Sequence, residues 1–234
     1  ESSLSSEDVG LWGGIIILGD APISLQNGDD ETFYTGLNPN TEASYYGGEN
    51  TDDNSGVLEY VSIRHGGVFI GTGSESNGLT LCGVGNKTTI NQVEIYSIQD
   101  DGLEIFGGTV NVSNLFVHAC GDDGIDLDEG YTGTIDHFIV ELSNESESGI
   151  EISSGKGNSV GNFNLTNGLV DIKSASNKAP FSADEKAVGS ISNISVDNGE
   201  AIEAFQSESS EVSSNNDGKS QVDKSIFSWT KIKA

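Results

Sequence analysis

Two acidic turns carry the clearest chemical signal in the chain: Asp100-Asp101-Gly102-Leu103-Glu104 and Asp122-Asp123-Gly124-Ile125-Asp126, the second followed by Asp128 and Glu129. Asp100, Asp101 and Glu104 each have an acidic counterpart 22 residues on, at Asp122, Asp123 and Asp126. If one coil of a stacked repeat spans that offset, each carboxylate lies about 4.8 Å from its partner. Two unit charges at that distance repel by roughly 1 kcal/mol in water and roughly 3 at an effective dielectric of 20. A cation between them removes the repulsion. Ca²⁺ accepts oxygen ligands at about 2.3–2.6 Å in loose geometry and can be straddled by such a pair, whereas Mg²⁺ demands shorter, stricter contacts. Softer metals want His or Cys, for which only His118 and Cys120 lie nearby in the chain. The spacing therefore predicts a Ca²⁺ ladder of Asp100, Asp101, Glu104, Asp122, Asp123 and Asp126. The competing reading is that these Asp side chains satisfy turn amides and are otherwise solvated. Asp52 and Asp53, ahead of Asn54-Ser55-Gly56, form a weaker candidate without a stacked acidic partner.

Other chemistry is less well supported. Lys156, in Gly155-Lys156-Gly157, falls about one coil beyond Asp126 and is the candidate base for a lyase in which calcium neutralises a uronate. It sits in a turn expected to be flexible. His65 closes a strand, and His118 and His137 occupy different positions of the repeat, so no histidine column forms. Paired carboxylates can hydrolyse glycosides, but no His or Arg constellation accompanies them here. No nucleophile-elbow motif occurs.

The elements that position the acidic turns follow from self-similarity. Asn77-Gly-Leu-Thr-Leu81, Asp101-Gly-Leu-Glu-Ile105, Asp123-Gly-Ile-Asp-Leu127 and Ser148-Gly-Ile-Glu-Ile152 are one repeated strand. A second strand family runs in step at 90–95, 112–117, 135–140, 160–165, 191–196 and, loosely, 222–227, with apolar residues at alternate positions. Two short strands every 22–25 residues, with Gly-rich corners and no helical period, predict a right-handed single-stranded parallel β-helix with longer C-terminal coils. Leu79/Leu103/Ile125/Ile150 and Leu81/Ile105/Leu127/Ile152 are the expected core columns, with Thr80/Glu104/Asp126/Glu151 facing out. The repeat extends back through 58–63 and 12–19, and residues 20–56 form an excursion whose aromatics are expected to pack over the helix. Hairpin signals are too scarce for a sandwich. The whole chain, 1–234, reads as one domain.

Composition fits this reading. There are 31 Gly and only 3 Pro, so the chain turns often but keeps its backbone donors. The 37 acidic and 10 basic residues give a formal charge of −27, which excludes nucleic acid and anionic membrane surfaces as partners and points to bound cations or a saline habitat. No apolar run is long enough to cross a membrane. The absence of Met and of a basic-then-apolar leader suggests a mature or trimmed chain. Cys82 and Cys120 fall at different corners and are expected to be free thiols.

The segments Trp12-Gly-Gly-Ile-Ile-Ile-Leu-Gly-Asp-Ala-Pro-Ile23, Tyr46-Gly-Gly48, Asp53-Asn-Ser-Gly-Val-Leu-Glu-Tyr-Val-Ser-Ile-Arg-His-Gly-Gly67, Gly78-Leu-Thr-Leu-Cys-Gly-Val-Gly85 and Asp100-Asp-Gly-Leu-Glu-Ile-Phe-Gly-Gly-Thr109 together resemble secreted or lipid-anchored parallel β-helix proteins of Bacteroidota and marine Gram-negative bacteria. The resemblance covers roughly residues 11–140. It implies a secreted or cell-surface location and part of a larger surface protein, with little about activity. The leading expectation is a calcium-stiffened, non-catalytic surface or adhesive module, with its acidic ladder on an open face. The alternative is a calcium-dependent polysaccharide lyase or an acidic-glycan-binding module. Exposed strand edges at the ends of such a helix predict contacts with other copies or with further domains.

Overall fold

The computed structural model describes residues 4–25, 29, 31–71, 74–157, 160–172, 178–196, 200–201, 211–215 and 222–230. They form a right-handed parallel β-helix built on two large sheets. The first sheet stacks Ile15–Leu18, Leu79–Cys82, Leu103–Phe106, Ile125–Asp128, Ile150–Ile152 and Ser182–Ala183. The second stacks Val57–Arg64, Thr89–Ile98, Asn111–Cys120, Thr134–Glu141, Phe163–Asp171 and Gly189–Val196, with Val212–Asn215 beside the last.

The predicted columns are in register. Leu79 pairs with Leu103, Leu103 with Ile125 and Ile125 with Ile150, and the next column repeats this through Leu81, Ile105, Leu127 and Ile152. All eight are at most 3 % exposed and fill the interior with the inward residues of the second sheet. Burying each contributes roughly 1.5–3 kcal/mol.

In the second sheet the predicted simple alternation is interrupted. Gln92, Asn114, His137, Asn167 and Asn193 stack one above another at φ between 54° and 57°, so each strand bends there and residues on both sides of the bend turn inward. Asn suits that left-handed conformation better than most side chains. Two of the strands expected from the sequence are displaced. Ile135 pairs with Leu165, not Val160, so the coil that follows is the long one and the strand runs over Phe163–Asp171. Residues 222–227 form no strand of the ladder. Lys224–Phe227 is a 3-10 turn that lays Phe227 and Val222 on Phe116 and Ile139, on the outer face of the second sheet.

The excursion returns as a small antiparallel hairpin, Glu31–Phe33 against Tyr45–Gly47. As expected it packs over the helix: Tyr34 and Tyr46 cover Ile16, Leu18, Cys82 and Phe106 on the outer face of the first sheet. Cys82 lies beneath this hairpin and Cys120 in the core, both as free thiols. Among the described residues no helix is long and apolar enough to cross a membrane.

Candidate cation site and aromatic cleft

The two acidic turns do two different jobs. At the corner before each first-sheet strand, a side-chain oxygen accepts the backbone N–H one coil further on. Asn77 Oδ1 accepts Asp101 N–H (3.2 Å), Asp101 Oδ1 accepts Asp123 N–H (2.9 Å), and Asp123 Oδ1 accepts Ser148 N–H (2.7 Å). Asp101 and Asp123 are buried by this ladder. The turn-capping reading is therefore correct for their amide-facing oxygens, extended from within a turn to between coils.

The outward column behaves differently. Glu104 stacks on Asp126, and Asp126 on Glu151, as the offset predicted. Asp101, Glu104 and Asp126 each present a carboxylate oxygen within 4.8 Å of the others, and Asp100, Asp101 and Asp122 form a second such triad that shares Asp101. Five of the six predicted ligands thus converge. Asp123 does not join either triad; it bonds Ser148 and its carboxyl neighbours Glu151. Among the described residues no His or Cys enters a triad. His118 bonds Glu141 (2.9 Å) and stacks on Tyr96, and His137 pairs with Asp136. Asp53 caps its turn, accepting from Ser55 Oγ and Gly85 N–H, while Asp52 lies 3.9 Å from Lys87 in solvent.

Burial makes the Asp101–Glu104–Asp126 triad expensive as three anions. Removal from water, reinforced by neighbouring carboxylates, holds all three carboxyls well above their ordinary range. Glu104 accepts a hydrogen bond from the Asn77 amide. Asp126 Oδ1 is shut off from solvent and has no hydrogen-bond partner at all. Leaving a buried acceptor unpaired costs about 1–3 kcal/mol. A shared proton or a cation in the triad would relieve both penalties. An oxygen-only donor set suits a hard cation, and three ligands differing in reach suit the loose coordination of Ca²⁺ better than a strict octahedron.

The triad does not lie on an open face, contrary to expectation. Glu104 of the triad lines a cleft of about 390 Å³ beside the hairpin of the excursion, together with Phe33, Tyr34, Tyr46, Phe106, Asp100 and Glu129. Glu129 and Tyr46 were missed as site residues by sequence reasoning. Glu129 trails the second acidic turn and Tyr46 is one of several aromatics of the excursion; 83 residues separate them, and no local pattern says that they meet. Here the Tyr46 phenol donates to the Glu129 carboxylate at 3.1 and 3.3 Å. Burial, then Asp128, pushes Glu129 up to about 7. Tyr34 is pushed up to about 12 by burial.

Lys156 does not line the cleft; its Nζ lies 3.7 Å from Asp128 Oδ2 and its side chain is more than half exposed. Its turn is not free: Lys156 N–H bonds Ser24 O and Gly157 N–H bonds Ser24 Oγ, which ties this late coil to the base of the excursion.

A family model described as a pectate-lyase-like beta-helix domain matches residues 1–233. No curated protein and no solved structure matches the chain.

Proposed function

The chain belongs to the pectate-lyase-like beta-helix family, and from that premise we propose that it is an extracellular, calcium-binding surface module that holds acidic polysaccharide in the aromatic cleft. The observation that carries this reading is Asp126 Oδ1, a carboxylate oxygen withdrawn from water with no partner, in a triad with Asp101 and with Glu104, which lines the cleft. Ca²⁺ in the triad would neutralise the buried charge and tie two successive coils together, which is the stiffening role.

Charge then decides how a glycan is held. A polyanion approaching a protein of charge −27 is repelled unless a cation bridges them. Among the described residues the basic side chains are scattered and line no part of the cleft, and Lys156 already faces Asp128. The bound cation is left as the recognition element for a sugar carboxylate, with Phe33, the exposed aromatic of the cleft, offering an apolar face to a pyranose ring. A neutral glycan would forgo the first interaction and an exposed ladder would lack the second. The cleft favours this reading over a purely structural or adhesive ladder.

The test is retention of polyuronates on the immobilised protein, with Ca²⁺ and with chelator. Calcium-dependent retention that Asp126→Asn and Glu104→Gln each abolish is the expected result. Retention that is indifferent to chelator, or absent for every acidic polymer tried, would overturn the proposal.

A further inference from the structure

The second sheet begins on Val57–Arg64, an eight-residue strand that among the described residues is paired on one side only, with Thr89–Ile98. Its other edge presents a row of N–H and C=O groups on which a further strand can add. Val57 and Tyr60 of this strand are 71 % and 67 % exposed, the two most exposed large apolar side chains among the described residues. Leu58 and Val61, with Ile15 and Ile17 of the first sheet's own edge strand, are only partly buried where they pack against the core. The far edge of the second sheet differs. Gly189–Val196 already carries Glu200–Ala201 and Val212–Asn215, neither longer than four residues. Copies stacked head to tail would set an eight-residue edge against four residues or fewer at every joint.

We propose that Val57–Arg64 pairs antiparallel with the same strand of a second copy about a two-fold axis, joining two β-helices end to end. The pattern of the strand itself carries this. Leu58, Val61 and Ile63 stack on the buried Ile90, Val93 and Ile95 and face inward. Glu59, Ser62 and Arg64 stack on Asn91, Glu94 and Tyr96 and face outward, as does Val57 by alternation. Tyr60, at φ 55°, is the bend between the two halves. Without that bend, an eight-residue strand laid fully over itself would set inward residues against outward ones. With it, the strand runs outward, inward, outward from either end. An axis between Tyr60 and Val61 then sets Leu58 against Ile63 of the second copy in the core, and Val57 against Arg64 and Glu59 against Ser62 outside.

Charge agrees with this register. Glu59 is exposed, and its outward neighbour on the diagonal across the axis is Arg64 of the second copy, within reach of a long side chain. Arg64 keeps 29 % of its side chain exposed while bonded to Glu94 at 2.6 Å. The two-fold forms the Glu59–Arg64 contact twice, so the edge is self-complementary, as an isologous interface requires. The formal charge of −27 opposes association over a longer range. Salt screens exposed charges beyond about 10 Å at roughly 0.1 M, so it weakens that repulsion more than the two short contacts. Pairing therefore strengthens as salt is added.

Sedimentation of the full chain, without and with added salt, tests the pairing. The expected result is a monomer–dimer equilibrium that moves toward dimer with salt and stops at two copies. Val57→Arg sets like charges against Arg64 of the second copy twice and should weaken association roughly tenfold, with the thermal transition intact because Val57 is exposed. For the register, Glu59→Cys and Ser62→Cys proteins are oxidised separately and as a mixture; the native Cys82 and Cys120 are buried and do not compete. A covalent dimer is expected from the mixture and from neither variant alone. A chain that stays monomeric at every salt concentration, an assembly that grows past two copies, or undiminished association of Val57→Arg would overturn the proposal. So would a mixture that fails to cross-link, or one that does so no better than either variant alone.

Discussion

Asp101 and Asp126 are the same residue type one coil apart, yet they contribute with opposite sign. Asp101 accepts the Asp123 amide, an interaction that Asn77 makes one coil earlier without a charge. Asp101→Asn should keep this bond, remove one buried anion, and raise the midpoint of thermal unfolding of the chelator-treated protein. Asp101→Ala should lower it, because the Asp123 N–H loses its acceptor at about 1–3 kcal/mol. Asp126 makes no compensating hydrogen bond through Oδ1. Asp126→Asn should therefore stabilise the cation-free protein, by up to roughly 3 kcal/mol for one like-charge contact at an effective dielectric of 20, and should lose all stabilisation by Ca²⁺. A cation-free Asp126→Asn protein less stable than the parent would show that the triad is not under electrostatic load.

The element scale shows what was legible in the sequence and what was not. The first-sheet columns were legible because Asn77, Asp101, Asp123 and Ser148 each precede a glycine and an apolar-x-apolar strand, and tight corners leave one solution to the register. The shift from Val160 to Leu165 was hidden by Gly168. That residue occupies the inward column of Val93, Leu115, Phe138 and Ile194, and a Cβ there would run into the Phe138 ring. One large side chain fills the space of two, so the strand lacks the apolar residue that would mark it. Phe138→Ala should cost about 3–5 kcal/mol in denaturant unfolding. Gly168→Ala alone should also destabilise, whereas in a Phe138→Leu background its cost should shrink; additive costs would count against the shared space. The outward acidic column was legible from spacing alone. The cleft was not, because the hairpin beside it is an excursion with no repeat to set its position, and the Tyr46–Glu129 contact joins segments far apart in the chain.

Across the whole molecule, the excess of acids makes stability a matter of what neutralises them. Glu129 and Glu151 both hold protons more tightly folded than unfolded: each is pushed up to about 7, Glu129 by burial, Glu151 by its hydrogen bond with Asp123 and then by burial. The folded chain therefore binds more protons than the unfolded one, and these groups contribute stability below the ordinary carboxyl range that is lost as pH rises from about 4.5 through 7. For Glu129 the loss amounts to roughly 3 kcal/mol once ionised. In chelator the thermal midpoint should fall across that window, and the fall should be shallower in Glu129→Gln. A midpoint that climbs with pH there would contradict the assignment. Protons and Ca²⁺ relieve the same repulsion, so added Ca²⁺ should flatten the profile, with monovalent salt acting more weakly.

The claim on which the rest depends is that Asp101, Glu104 and Asp126 take a divalent cation, and calorimetric titration of chelator-stripped protein with Ca²⁺ tests it most directly. A saturable site that releases protons as it fills, and that is absent in Asp126→Asn, is the predicted result. Heat no different from that of Asp126→Asn, with no proton release, would contradict it.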